Sequence, residues 1–237
     1  MEKWETRWNE NKLRWHKDAI DPLLIKHLGK LHEKDKDDPI STSPKKFFVP
    51  LCGKTLDIAY ILSLGYHVFA VEGVRKAVDT LNTENNFGLE FHEQDSIFKT
   101  LDGKLQIYLG DLFTCPFEKW APFDYVWDKG SLTAIDEESR QKYKISMQKS
   151  VQIPGSNDYH NFKYLLRTVI YDKSKSEGMG PKCVSETDMN DLYGDWTNIT
   201  LLESVKLPEG HILRRNINIG SVCHENIYLL SPKSINE

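Results

Sequence analysis

The sequence predicts an α/β fold, a mainly parallel sheet with helices on both faces. Three observations lead there. The apolar run Lys46-Phe-Phe-Val-Pro-Leu51 reaches Cys52-Gly53, a helical pattern follows, and a second apolar run closes on Glu72-Gly73. That order of strand, glycine turn, helix, strand and acid is one βαβ unit. Beyond it, strand-like and helix-like segments keep alternating, as they do where parallel strands are joined by crossover helices. The length of 237 residues suits one sizeable α/β domain.

The elements follow in chain order. Residues 1–32 read as amphipathic and helical. Trp4 and Trp8 share a face at i, i+4 spacing, and Leu23, Leu24, Leu28 and Leu31 make a second stripe after Pro22. Glu33 to Lys45 is charged and then rich in Ser, Thr and Pro, an exposed loop. Thr55 to Leu64 is a mostly buried helix that Thr55 can cap and Gly65 can end. The next strand runs from Tyr66 to Glu72, and a helix from Arg75 to Glu84. Leu105 to Leu109 and Phe123 to Trp127 are strands ending at Gly110-Asp111 and Asp128-Lys129-Gly130. Glu137 to Ser150 is a helix and Tyr164 to Tyr171 a core strand. Ser185-Glu-Thr-Asp188 is a capping box opening a helix that stops at Gly194. Thr197 to Val205 and His224 to Leu230 close the chain as β-rich runs that can add an antiparallel strand at one edge.

Composition narrows the function. A net charge of −4 and a pI near 6.1 leave no basic footprint for nucleic acid. No apolar run is long enough to span a bilayer. The first eighteen residues are charged throughout, unlike a signal peptide. Cys52, Cys115, Cys183 and Cys223 lie far apart with no Cys-x-x-Cys pair, which argues against zinc or a disulfide framework and suits a reducing cytoplasm. The histidines make no ligand pattern.

The stretch Val49-Pro-Leu-Cys-Gly-Lys-Thr-Leu-Asp57 contains the end of a phosphate-cradling loop, Gly53-Lys54-Thr55. A true P-loop needs a glycine where Phe48 stands, inside an apolar strand, so a nucleoside triphosphate is a poor fit. Glu72 lies nineteen residues after Gly53, the distance at which α/β nucleotide binders place the acid that accepts from a ribose. A nicotinamide dinucleotide would also want Gly-x-Gly-x-x-Gly for its pyrophosphate, and only Gly53 is present. The ligand therefore carries a ribose but needs no phosphate grip. S-adenosylmethionine fits both conditions. Four strand ends converge on this reading: Cys52-Gly53, Glu72-Gly73, Gly110-Asp111 and Asp128-Lys129-Gly130. Singly, each is also an ordinary turn.

The sequence resembles the thiopurine S-methyltransferase family of S-adenosylmethionine-dependent methyltransferases. The resemblance rests on Trp4-x3-Trp8 with Trp15-His16, on Val49-Pro-Leu-Cys-Gly-Lys54 and on Val71-Glu72. It continues through Ile107-Tyr108, Asp111-Leu112-Phe113, Trp127-Asp128-Lys129-Gly130-Ser131-Leu132 and Ala134-Ile135. These cover most of the first 145 residues; after residue 150 only Tyr171-Asp172, a Gly180-Pro181 loop and Leu192-Tyr193-Gly194 match. The resemblance implies a class I methyltransferase, Rossmann-like sheet of seven strands, with residues 1–32 as a helical lid on one domain of 1–237. It implies methyl transfer from S-adenosylmethionine to sulfur, with S-adenosylhomocysteine as product. Trp8 and the segment to Trp15 are implied to cover the cofactor, with Leu51 and Gly53 backbone against its methionine part and Glu72 on the ribose. Asp111 and Leu112 are implied to flank the adenine, and Lys129 stands where the family usually has arginine. Trp15 for phenylalanine, Lys129 for arginine and Pro181 in place of a double proline depart from the pattern and bear on the acceptor.

The chemistry asks little of a protein. A soft thiolate displaces a sulfonium methyl given in-line geometry and a dry pocket. Lys129 is the candidate catalytic cation for the thiolate form of the acceptor; its plain alternative is a turn lysine. The faces of Trp4, Trp8 and Trp15 can attract a sulfonium, or simply staple a helix to the core, and both roles can hold. Cys52 has nothing beside it to make it a nucleophile. The expectation is a cytoplasmic monomer acting on a small aromatic or heterocyclic thiol. The alternatives are a halide or small-anion methyltransferase on the same fold, and a cofactor-binding protein without catalysis.

Overall fold

The computed structural model describes residues 2–31, 43–175, 181–209, 211 and 222–233. His32, most of the loop expected over Glu33–Lys45, and Gly180 of the expected Gly180-Pro181 loop lie outside the described residues.

The segment expected to be helical over 1–32 is two helices with an irregular strap between them. Helix α1 is Glu2–Asn9 and α2 is Pro22–His27, continued by a tight turn over Leu28–Leu31. Asn11 turns into the left-handed region at φ 54°, which ends the first helix. Asp21 starts the second by accepting the Leu23 N–H at 3.0 Å, with Pro22 at the first helical position.

Strand β1 (Lys46–Val49), helix α3 (Asp57–Ser63), strand β2 (His67–Glu72) and helix α4 (Arg75–Asn85) form the βαβ unit and its following helix. Thr55 Oγ1 accepts the Asp57 N–H at 3.3 Å, and Gly65 at φ 89° turns the chain out of α3. Then come β3 (Glu90–His92), β4 (Ile97–Lys99), β5 (Leu105–Leu109) and β6 (Tyr125–Asp128). Helices α5 (Ser131–Ala134) and α6 (Arg140–Val151) lead to β7 (Lys163–Tyr171), α7 (Glu186–Tyr193), β8 (Thr197–Lys206) and β9 (Cys223–Pro232). Helix α6 starts three residues later than expected, because Glu137–Ser139 winds as a 3-10 turn. The Ser185/Asp188 capping box is present at the start of α7.

Among the described residues the sheet has nine strands in the order β3-β4-β5-β2-β1-β6-β7-β9-β8. Strands β5, β2, β1, β6 and β7 run parallel, β9 is antiparallel to β7, and β8 pairs with β9 at the edge. Those are the seven strands expected. The additional two, β3 and β4, are an antiparallel hairpin on the free side of β5. Each is three residues long, too short for a period-2 pattern to show, and the pair is secured by burying Ile97 and Phe98.

Apolar packing covers both faces, which is why the central strands are continuously hydrophobic. Phe47, Val49, Val68 and Ala70 meet Ile58, Ile61, Val78, Leu81 and Leu24 of α3, α4 and α2 on one side. Phe48, Phe69 and Val71 join Tyr143, Met147, Met189 and Leu192 of α6 and α7 on the other.

Candidate cofactor and acceptor site

The carboxyl ends of β1, β2 and β5 come together through backbone ties. After Val49, Leu51 adopts φ 42° and Gly53 φ 55°. A bulky residue in the left-handed region stores strain, and the surroundings hold it there. Cys52 N–H donates to Val71 O at 3.0 Å, and Gly110 N–H to Glu72 O at 3.0 Å. Ser131 Oγ donates to Pro50 O at 2.7 Å.

Glu72 is the hub. It is 7% exposed. One carboxylate oxygen accepts from Gly53 N at 2.8 Å and the other from Val74 N at 2.9 Å. Burial pushes its pKa up, and the N–H groups of Val74, Gly53 and Gly73 offset part of that. A carboxylate has about four acceptor positions. Glu72 therefore ties two turns and keeps capacity for a further donor such as a ribose hydroxyl. The donor set fits S-adenosylmethionine: an acid with spare acceptor sites, a glycine turn, and no phosphate cradle.

Beside it, Asp111 is exposed at the tip of β5 and accepts the Phe113 N–H at 2.9 Å, starting a short 3-10 turn. Leu112 is 2% exposed, and its side chain packs into the core with Phe117 and Phe123. The Tyr108 ring lies over Gly110, where a β-carbon would come within 2.6 Å of it.

The N-terminal segment lies across these turns. Trp8 is 4% exposed and packs with Val74 and Ala77 at the start of α4. A β-carbon at Gly53 would stand 3.7 Å from Trp8 Cζ2. Trp15 meets Trp4 edge-on at 5.1 Å and Trp8 at 6.5 Å between ring centroids. Arg7 covers the Trp4 and Trp15 rings at 5.2 and 5.8 Å. Trp8 thus faces the turns directly, while Trp15, 40% exposed, belongs to the outer layer.

Lys129 directly follows β6, and its ammonium turns toward the start of α3. Nζ is 3.2 Å from Asp57 Oδ2, 3.4 Å from Thr55 Oγ1 and 3.9 Å from Asp21 Oδ2. Two buried carboxylates, Asp57 and Asp21, attract its charge there. The turn that carries it is held by the buried Asp128. Asp128 accepts Gly130 and Ser131 N–H with one oxygen, and the hydroxyls of Tyr143 and Tyr164 with the other. Burial raises the Asp128 pKa, offset by those tyrosines and N–H groups. Lys54, of the motif after β1, is paired with Glu84 at 2.7 Å.

Asp21, Asp57, Arg167 and Glu225 are the charged residues here that the sequence reading passed over. The signal was present: Asp57 and Arg167 each interrupt an apolar run, and a charge there needs a buried partner. A separate shallow cleft of about 240 Å³, lined by Phe117, Ala121 and residues 152–156, lies where the chain enters β6 and β7, away from these groups. Among the described residues no cluster of acids, histidines and cysteines could hold a metal, and no helix is long and apolar enough to cross a membrane.

A sheet of this order, with an acid ending its second parallel strand and a glycine turn after its first, has the fold of the class I S-adenosylmethionine-dependent methyltransferases. Solved structures agree on the fold. A Burkholderia thailandensis 1,6-didemethyltoxoflavin-N1-methyltransferase with bound S-adenosylhomocysteine superposes with TM-score 0.57 at 14% identity, covering 98% of this chain and 87% of its own. A SAM-dependent methyltransferase from Anabaena variabilis gives TM-score 0.56 at 12% identity, covering 98% and 94%. The chain belongs to the thiopurine S-methyltransferase family: the family profile described as Thiopurine S-methyltransferase (TPMT) matches residues 1–233. It is 32% identical to a "Probable thiopurine S-methyltransferase" of Danio rerio, covering 99% of this chain and 95% of that protein. It is 30% identical to a thiopurine S-methyltransferase of Acinetobacter baylyi, covering 97% of each. The chain is an S-adenosylmethionine-dependent S-methyltransferase.

Proposed function

We propose that the methyl acceptor is the sulfur of a small aromatic or heterocyclic thiol. The observation that carries this reading is the commitment of the carboxylates beside Lys129. Asp21, Asp57 and Asp128 are buried and already bonded, so they are poor general bases. The acceptor must then ionise readily by itself, and conjugated thiols do so more easily than alkyl thiols or alcohols. Bound S-adenosylmethionine supplies an already activated methyl group. The protein's part is to orient, exclude water and favour the anion.

In this reading the turn at Leu51 and Gly53 receives the methionine part, Glu72 the ribose, and Asp111 with the Leu112 backbone the adenine. Trp4, Trp8 and Trp15 form the lid, with Trp8 inside and the other two outside. Lys129 is the cation nearest the acceptor, its field reduced by Asp57. The whole chain acts as one domain. The net charge of −4 supports a small acceptor in preference to nucleic acid. Four buried cysteines far apart in the chain support a cytoplasmic setting, and we assign a monomer.

The test is transfer from methyl-labelled S-adenosylmethionine to a panel of thiols, with iodide as competitor. Labelled aryl or heterocyclic thioether supports the reading. Labelled methyl iodide with no thioether would make the protein a halide methyltransferase.

A further inference from the structure

Arg167 stands in the middle of the apolar run Tyr164–Tyr171, and the chemistry above gives it no task. It is 7% exposed. Its Nη1 donates to Asp21 Oδ2 at 2.7 Å, and its Nη2 pairs with Glu225 on the neighbouring strand β9. Because Asp128 pairs in register with Leu166, Arg167 lies level with Lys129 at the carboxyl edge of the sheet. Asp21 gathers the rest. Its N–H donates to Asp57 Oδ1 at 2.7 Å, its Oδ1 caps α2, and Lys129 lies 3.9 Å from its Oδ2. Lys17, on the strap between α1 and α2, lies in the field of Arg167, Glu225, Asp21 and Lys129.

A buried ion cluster is a weak device for stability, since apolar residues of similar volume often serve as well. Its location suggests another use. Asp21 is the point where the strap carrying Trp15, and beyond it Trp8 and Trp4, joins the body of the protein. Fixing that point sets where the tryptophans come down. A guanidinium can bridge two carboxylates at once, which an ammonium does poorly. We propose that Asp21 and Arg167 are positioning residues that fasten the N-terminal aromatic segment over the cofactor turn at Gly53. This rests on the lid reading above.

Asp21→Asn tests it. Asparagine caps a helix as well as aspartate does and keeps the backbone bond to Asp57, so the variant loses mainly the charge. Three quantities are read on the full chain: the S-adenosylhomocysteine Kd by calorimetry, the chymotryptic cleavage rate at Trp15 without ligand, and the Kd of the Trp8→Ala and double variants. The expected result is a Kd raised about tenfold, faster cleavage at Trp15, and a double variant that binds no worse than Trp8→Ala alone. If Asp21→Asn folds with unchanged Kd and cleavage, or if the two substitutions add, the fastener is wrong. If Trp8→Ala itself leaves Kd unchanged, the lid reading fails first. Should Asp21→Asn not fold, Arg167→Lys keeps a cation for Asp21 while loosening the bridge to Glu225. It should raise both Kd and cleavage, and wild-type values for both would overturn the proposal.

Discussion

Gly53 donates its N–H to the carboxylate of Glu72 at 2.8 Å, joining the turn after β1 to the acid that ends β2. The spacing that marked Glu72 as a ribose acceptor thus also marks a structural tie. Truncation to alanine would remove both roles, so the informative change is Glu72→Gln. The amide keeps one acceptor oxygen and sets an NH2 against Gly53 or Val74. Affinity for S-adenosylhomocysteine should fall tenfold or more, because a hydrogen bond to a charged group is worth about 1.5–3 kcal/mol. Calorimetry beside a thermal melt checks it. A lower Tm with unchanged Kd would leave Glu72 as a loop tie only.

Lys129→Met should lower turnover while the protein still folds, since Asp57 retains the Trp127 indole and the Asp21 N–H as partners. If Lys129 favours the thiolate, the variant's rate should recover as the pH approaches the acceptor's free pKa, which for a conjugated thiol lies below the about 8.5 of a cysteine-like thiol. If it fastens the cofactor side instead, the cofactor's Kd should rise at every pH. Wild-type kinetics for both substrates across that range would leave Lys129 an ion-pair partner of Asp57 and nothing more.

Cys52 and Cys115 should be inert in the native protein. Burial, and then the Glu72 charge, raise the Cys52 pKa, and burial pushes Cys115 up to about 12. A raised pKa keeps the thiol protonated and unreactive at neutral pH. Ellman's reagent should find neither thiol until denaturant is added, and Cys52→Ser should retain turnover. Rapid native labelling at Cys52 with loss of activity would contradict this.

Asp124 predicts an acid-sensitive tie at the other edge of the sheet. It bonds the Lys46 N–H at 2.8 Å, His160 at 3.1 Å and Lys45 at 3.2 Å. Burial alone would raise its pKa; the His160 hydrogen bond, the Lys46 N–H and Lys45 outweigh it and hold the carboxyl below its ordinary 3.8. A depressed pKa contributes stability that is complete above the ordinary value and is lost as the pH falls through the folded one. Asp124→Asn should therefore cost about 1.5–3 kcal/mol in urea unfolding near pH 7 and progressively less as the pH falls below that ordinary value. A cost that does not change with pH would remove the ionic part of the tie.

The βαβ unit was legible because its signals are local. Apolar runs at Lys46–Leu51 and Tyr66–Val71, the glycine at 53 and the acid at 72 each act within a few residues. The same holds for the Ser185 capping box and the left-handed Gly65. The β3–β4 hairpin escaped because three-residue strands carry no period, and the strap from residues 10–20 escaped because one tryptophan face resembles a longer helix.

By itself the sequence determined the α/β order, the glycine turn, the ribose-spaced acid and the want of a phosphate loop. Tertiary structure decided which charges meet. Asp21 and Arg167 are 146 residues apart in the chain and 2.7 Å apart in the fold. It also turned Lys129 toward Asp57 and laid Trp8 against Gly53. Periodicity and turn chemistry record neighbours along the chain. Ion pairing records whatever the sheet brings within a few ångströms, and no spacing along the sequence encodes that.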